Sequence, residues 1–138
     1  MHTYYTDGSC SPNPGPGGFA VILNGQPVVL GSDKASTNIR MEASALIAAM
    51  KHADGEPCVI YTDSEFWINV ITKWAPGWEK KGWKKSGGPI KNLDLVQEAY
   101  QLYQDSQATL AWVKAHNGQK DNELADQCAN EARKGKKL

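Results

Sequence analysis

The sequence predicts an α/β fold in which a five-stranded mixed sheet carries helices, and three observations predict it. Asn24-Gly25 lies between two β-branched runs, the strongest short signal for an antiparallel hairpin. Met41, Ala45, Leu46, Ala49, Met50 and Ala53 form an apolar stripe with a helical repeat. Residues 57–63, PCVIYTD, are a short and nearly continuous apolar run, as expected of a strand buried on both faces. A chain that opens in hairpins and continues through helical crossovers builds a sheet that is partly antiparallel and partly parallel.

The elements follow in order. His2 to Thr6 reads as the first strand, and residues 17–31 as two more joined at Asn24-Gly25. The Met41 stripe marks a helix that Thr37 or Asn38 caps and Gly55 ends. Cys58 to Thr62 is the buried strand, and Ser64 to Ile71 looks helical, with Pro76-Gly77 interrupting the pattern. Asn92 to Gln104 is a helix, and residues 108–113, ATLAWV, a strand. Leu124, Ala125, Cys128, Ala129 and Ala132 are the stripe of a last helix before a basic tail. The order is βββαβααβα.

At 138 residues the chain suits one domain, 1–138, able to bury roughly 70% of its unfolded surface. No apolar run approaches the ~20 residues that span a bilayer, and no basic-then-apolar leader opens the chain, so the cytoplasm is the expected location. Met1, just before the first strand, points to a free-standing protein, and a monomer is expected. Cys10, Cys58 and Cys128 are scattered and odd in number, which suggests neither a disulfide framework nor a zinc site. The formal net charge of +0 argues against binding polyanions over the whole surface. The distribution differs: from Lys73 to Lys91 the charged groups are lysines except Glu79, so a neutral chain carries a basic stripe.

Four acids stand apart from those on solvated faces. Asp7 and Asp63 close strands, and open α/β sheets place ligand sites at the carboxyl ends of strands. Glu42 lies in the first turn of the first long helix, and Asp126 lies within the last helix stripe. Each also has a plain structural reading: Glu42 favouring a helix N-terminus, Asp63 a cap, Asp7 an Asx-turn. Two acids ending adjacent strands would lie a few ångströms apart and need neutralising. Hard divalent cations do that, and Mg²⁺ also bonds substrate phosphate. The pattern therefore points to a carboxylate-rich metal site for phosphate chemistry.

At these residues the chain resembles a known family. TDGS…NPGPGG, TN…MEA, YTDS and KAHNGQKDNELAD, in that order from about Tyr4 to Ala132, resemble type 1 ribonuclease H, in a bacterial-like form with a basic protrusion. The resemblance implies the ribonuclease H-like fold, with helices on both faces of the sheet, and hydrolysis of the RNA strand of RNA–DNA hybrids. It makes Asp7, Glu42, Asp63 and Asp126 the metal-binding carboxylates, with Asp121 an alternative fourth acid by proximity. It implies two Mg²⁺ ions, with Mn²⁺ as a substitute, and products ending in 5′-phosphate and 3′-hydroxyl. His116 matches the family's mobile histidine, which helps to move protons or to release product.

The resemblance also implies substrate contacts. Cys10, Asn13 and Asn38 would meet the minor groove, and Thr37, Ser64 and Asn92 the DNA phosphates. The glycines after Asp7 would let backbone approach the groove closely. Residues 74–91 match the protrusion that grips the DNA strand, with Trp74, Trp78 and Trp83 interleaved with Lys80, Lys81, Lys84 and Lys85. Trp67 and Trp74, at helical spacing, also suit a core, whereas Trp83 among lysines and glycines suits the surface. Three positions depart from the family pattern: Ile39 for Asn, Glu65 for Gln and Gly77 for Asn. The competing functions are a catalytically dead hybrid-binding module, an integrase-like or exonuclease domain, and a ribonuclease domain from a reverse transcriptase. An intact carboxylate set stands against the first, and the protrusion and loop histidine against the second.

Overall fold

The computed structural model describes residues 1–115 and 117–138. Five strands make one mixed sheet: β1 (His2–Cys10), β2 (Gly15–Leu23), β3 (Gln26–Ser36), β4 (Cys58–Thr62) and β5 (Ala108–Trp112), in the order β3-β2-β1-β4-β5. The pairs β1–β2 and β2–β3 are antiparallel, and β1–β4 and β4–β5 are parallel. The predicted hairpin forms at Asn24-Gly25, where both residues have positive φ (55° and 75°) and Leu23 faces Gln26.

Alternation along the strands sends neighbouring side chains to opposite faces. On one face Tyr4, Val21 and Ile60 pack with Leu46, Ala49 and Met50 of α1 (Asn38–Ala53) and with Val96, Ala99 and Tyr100 of α4 (Leu93–Asp105). On the other face Ala20 and Ile22 pack with Ala125, Cys128 and Ala129 of α5 (Lys120–Arg133), joined by Tyr5, Leu30 and Leu124. Thr37 is the N-cap of α1, its Oγ1 accepting from the Arg40 N–H at 3.1 Å, and Asp54 in the left-handed region ends it just before Gly55.

Four local expectations change. Asp7 does not end β1, which runs on to Cys10, so the bend between β1 and β2 is only Ser11 to Pro14. Glu42 falls one residue beyond the first turn of α1. Pro76-Gly77 does not interrupt the helix after β4: α2 (Glu65–Asn69), a π turn over Val70–Trp74 and α3 (Ala75–Lys80) are continuous. A proline disfavours helical backbone before it and lacks an N–H. Here the Ala75 N–H reaches back five residues to Val70 O, and the wider turn takes in Pro76 at the start of α3. Asn92 precedes α4 in a left-handed conformation (φ 57°) rather than opening it as a helical residue. No helix among the described residues is long and apolar enough to cross a membrane.

Candidate active site

Two strands and one helix bring three acids together. Tyr5 pairs with Tyr61 in the parallel register of β1 and β4. Asp7 and Asp63 each follow two residues later, so the alternation that stacks the two tyrosine rings (centroids 4.9 Å, planes 11° apart) also aligns the two carboxylates. Gly8 admits the third acid. A Cβ there would collide with the backbone of Met41 and Glu42, so only glycine lets α1 cross β1 this closely. Gly18 does the same beneath α5, where a Cβ would meet the backbone of Ala129 and Arg133. These two glycines of the TDGS…GPGG stretch thus serve helix packing inside the fold.

Carboxylate oxygens of Asp7, Glu42 and Asp63 lie within 4.8 Å of one another. The Gly8 N–H donates to Asp7 Oδ1 at 2.9 Å and also bonds Glu42. Asp7 is 4% exposed, and burial followed by the charge of Asp63 pushes its carboxyl up to about 8. Burial, then the charges of Asp7 and Asp63, hold the Glu42 carboxyl well above the usual range. Glu42 Oε2 is buried with no hydrogen-bond partner. Crowded carboxyl groups, close oxygens and an unmet acceptor are what a hard divalent cation relieves, so this donor set fits such a cation.

Asp126 lies outside that trio and meets Asp7 from α5, through a hydrogen bond and through charge. Asp121, in the first turn of α5, acts electrostatically on Tyr5. His116 lies outside the described residues.

The predicted binding residues form a second group. Asn38 Oδ1 accepts from the Cys10 N–H at 2.7 Å, and the Asn38 N–H donates to Asn13 Oδ1 at 3.1 Å, which ties the β1–β2 bend to the start of α1. Cys10 is buried, its thiol directed at the carbonyls of Pro12, Gly15 and Ser36. Ser64, not Asp63, caps α2, its Oγ accepting from the Trp67 N–H at 3.2 Å. Asn92 Oδ1 accepts from Arg40 Nη1 at 3.2 Å, while the same guanidinium grips Asp94 at 2.8 and 3.1 Å. Arg40 escapes notice in the sequence because its partners lie more than 50 positions away.

The aromatic residues divide. Trp67 is core, its Nε1 donating to Ile39 O at 2.7 Å. Trp74 is 42% exposed and not core; it stands between Trp78 (6.2 Å) and Phe66 (6.0 Å), itself 46% exposed. Phe66 was not among the expected residues, although adjacent Phe66 and Trp67 in one helix cannot both face the core. Trp83, expected at the surface, is half-buried edge-on against Tyr100 at 6.1 Å. Lys80, Lys81 and Lys84 are exposed. Ile39, Glu65 and Gly77 are exposed too, and a side chain at Gly77 would meet nothing within 4 Å.

Comparison with known proteins agrees with this architecture. The RNase H family model matches residues 1–134. The chain is 44% identical over 131 residues to ribonuclease H of Polynucleobacter asymbioticus, covering 91% of this chain and 85% of that protein. It is 45% identical over 128 residues to ribonuclease HI of Xylella fastidiosa, covering 88% and 85%. Among solved structures, LC9-RNase H1, a type 1 RNase H with the type 2 active-site motif, superposes with a TM-score of 0.84 at 32% identity, covering 97% of this chain and 72% of that one. The chain belongs to the ribonuclease H family.

Proposed function

We propose that this ribonuclease H hydrolyses the RNA strand of RNA–DNA hybrids at the Asp7–Glu42–Asp63 cluster, leaving 5′-phosphate and 3′-hydroxyl ends. The observation that carries the reading is the buried, unpartnered Glu42 Oε2 within a three-carboxylate cluster. Asp7, Glu42, Asp63 and Asp126 would hold two Mg²⁺ ions, or Mn²⁺ in their place. Bound there, the ions supply Lewis acidity at the scissile phosphate and ease deprotonation of the attacking water. His116 would move a proton at the departing 3′ oxygen or aid product release, tasks for which the imidazole side chain is chemically suited.

Hydrogen-bond chemistry supports a phosphate- and hydroxyl-rich ligand. In Asn13, Asn38 and Asn92 the side-chain oxygen already accepts a bond within the protein, so each amide has its NH₂ left to offer. Thr37 and Ser64 likewise accept backbone N–H groups and retain a hydroxyl hydrogen. The donors left over on these five side chains suit acceptor-rich sugar–phosphate backbones. A hybrid presents 2′-hydroxyls on one strand across a wide, shallow minor groove, which distinguishes the strand to be cut. Lys80, Lys81 and Lys84 would neutralise phosphates of the DNA strand, and the exposed faces of Trp74 and Trp78 would pack on its sugars. Residues 1–138 would act as one catalytic domain, a cytoplasmic monomer.

A four-substrate assay tests this reading. The protein is incubated with hybrid, RNA duplex, DNA duplex and single-stranded RNA, each with and without Mg²⁺ or Mn²⁺. Cleavage confined to the RNA strand of the hybrid, and only with metal, is the expected result. Cutting of the DNA duplex, or cleavage in chelator, refutes it.

A further inference from the structure

The first turn of α5 is tied to the sheet by one side chain. Gln119, the N-cap residue of α5, uses both ends of its amide: Oε1 accepts from the Asn122 N–H at 2.7 Å, and Nε2 donates to the Tyr5 hydroxyl at 3.0 Å. Tyr5 is itself fixed by the stack on Tyr61, and each tyrosine lies two residues before an acid of the cluster, Asp7 or Asp63. Asp126 comes seven residues after Gln119, two helical turns on and therefore on the same side of α5. The tie thus joins the strand that carries Asp7 to the helix face that carries Asp126.

We propose that Tyr5 and Gln119 are positioning residues that set the reach of Asp126 to the metal site. The geometry gives them this role through Asp126, with no contact to substrate. Of the four carboxylates, Asp126 is the one delivered by a helix on the opposite face of the sheet from α1, and it stands outside the close trio. A small rocking of α5 about its packed apolar stripe would move Asp126 while leaving Asp7, Glu42 and Asp63 in place. The Tyr5–Gln119 bond opposes that movement at the end of α5 where the chain enters it. The role rests on the reading of Asp126 as a metal ligand.

Two substitutions remove the tie with little else. Tyr5→Phe keeps the ring and its stack, and Gln119→Ser keeps a good N-cap acceptor. In each, the Mg²⁺ concentration for half-maximal hybrid cleavage should rise by about tenfold, the low end of the cost of losing a supporting hydrogen bond at a metal site. The double variant should go no further, and KM for hybrid at saturating Mg²⁺ should stay within about twofold of the parent, since substrate binding is untouched. Calorimetric titration of Mg²⁺ into protein bound to uncleavable hybrid should show the same weakening. An unchanged Mg²⁺ midpoint in either single variant, or additive effects in the double, overturns the proposal. Asp126→Asn, measured alongside, separates the two readings. If it keeps the parent's Mg²⁺ response, Asp126 is not a ligand; if it loses that response while Tyr5→Phe does not shift it, only the positioning role fails.

Discussion

Asp7 on β1 and Asp63, one residue beyond β4, have carboxylate oxygens within 4.8 Å of each other, two residues after the register pairs Tyr5 with Tyr61. Two carboxyl groups are thereby fixed side by side at the sheet centre, with Glu42 brought within the same 4.8 Å by the absence of a side chain at Gly8.

The first prediction concerns stability without metal. The Asp7 carboxyl, ordinarily near 3.8, is pushed up to about 8 in the fold, and Glu42 is raised as well. A group whose folded pKa is raised binds its proton more tightly when folded. Its contribution is complete below about 3.8 and is lost as pH rises through 8. Melting in chelator should therefore show Tm falling over this range, and added Mg²⁺ should reverse the fall at its upper end. Asp7→Asn should be more stable than the parent in chelator at pH 8, by about 1–3 kcal/mol, the scale of an unsatisfied buried polar group. Equal melting of the two proteins contradicts the account.

The second concerns the lysines beyond α3. Reversing charge with Lys80→Glu and Lys81→Glu should raise KM for hybrid and leave kcat near the parent's. The slope of log KM against log salt should fall by about two, one for each lost phosphate contact. Unchanged KM with an unchanged slope removes these residues from the interface.

The third concerns Gly77, inside α3 with open space around it. Gly77→Ala should stabilise the protein by about 0.5–1 kcal/mol, the helix-propensity difference between the two residues. Urea denaturation reads this directly, and a destabilised variant would mean that the helix does not continue past Pro76 as described.

Much of the architecture was legible in the chain. Asn24-Gly25, the Met41 stripe and the run from Cys58 to Thr62 each carry a local signal, and each became the expected element. What the chain hid depends on partners distant in sequence. β1 continues past Asp7 because Gly8 to Cys10 find ladder partners in Phe19 to Gly17, which no local propensity announces. Trp83 is half-buried because Tyr100 lies beside it, and Trp74 is exposed because the π turn shifts the helical phase before it. The clasp of Arg40 on Asn92 and Asp94, and the bond from Gln119 to Tyr5, are likewise invisible until the helices are docked. Asp7 and Asp63 were legible as acids at or near strand ends, and Glu42 and Asp126 as acids beside the apolar stripes of helices; their mutual distances were not legible.

The most direct test of the central claim is the Asp63→Asn enzyme assayed on RNA–DNA hybrid across a Mg²⁺ titration, with hybrid binding measured in parallel. Cleavage should fall to background at every Mg²⁺ concentration while the variant still binds hybrid. Magnesium-dependent cleavage at the parent's rate would contradict it.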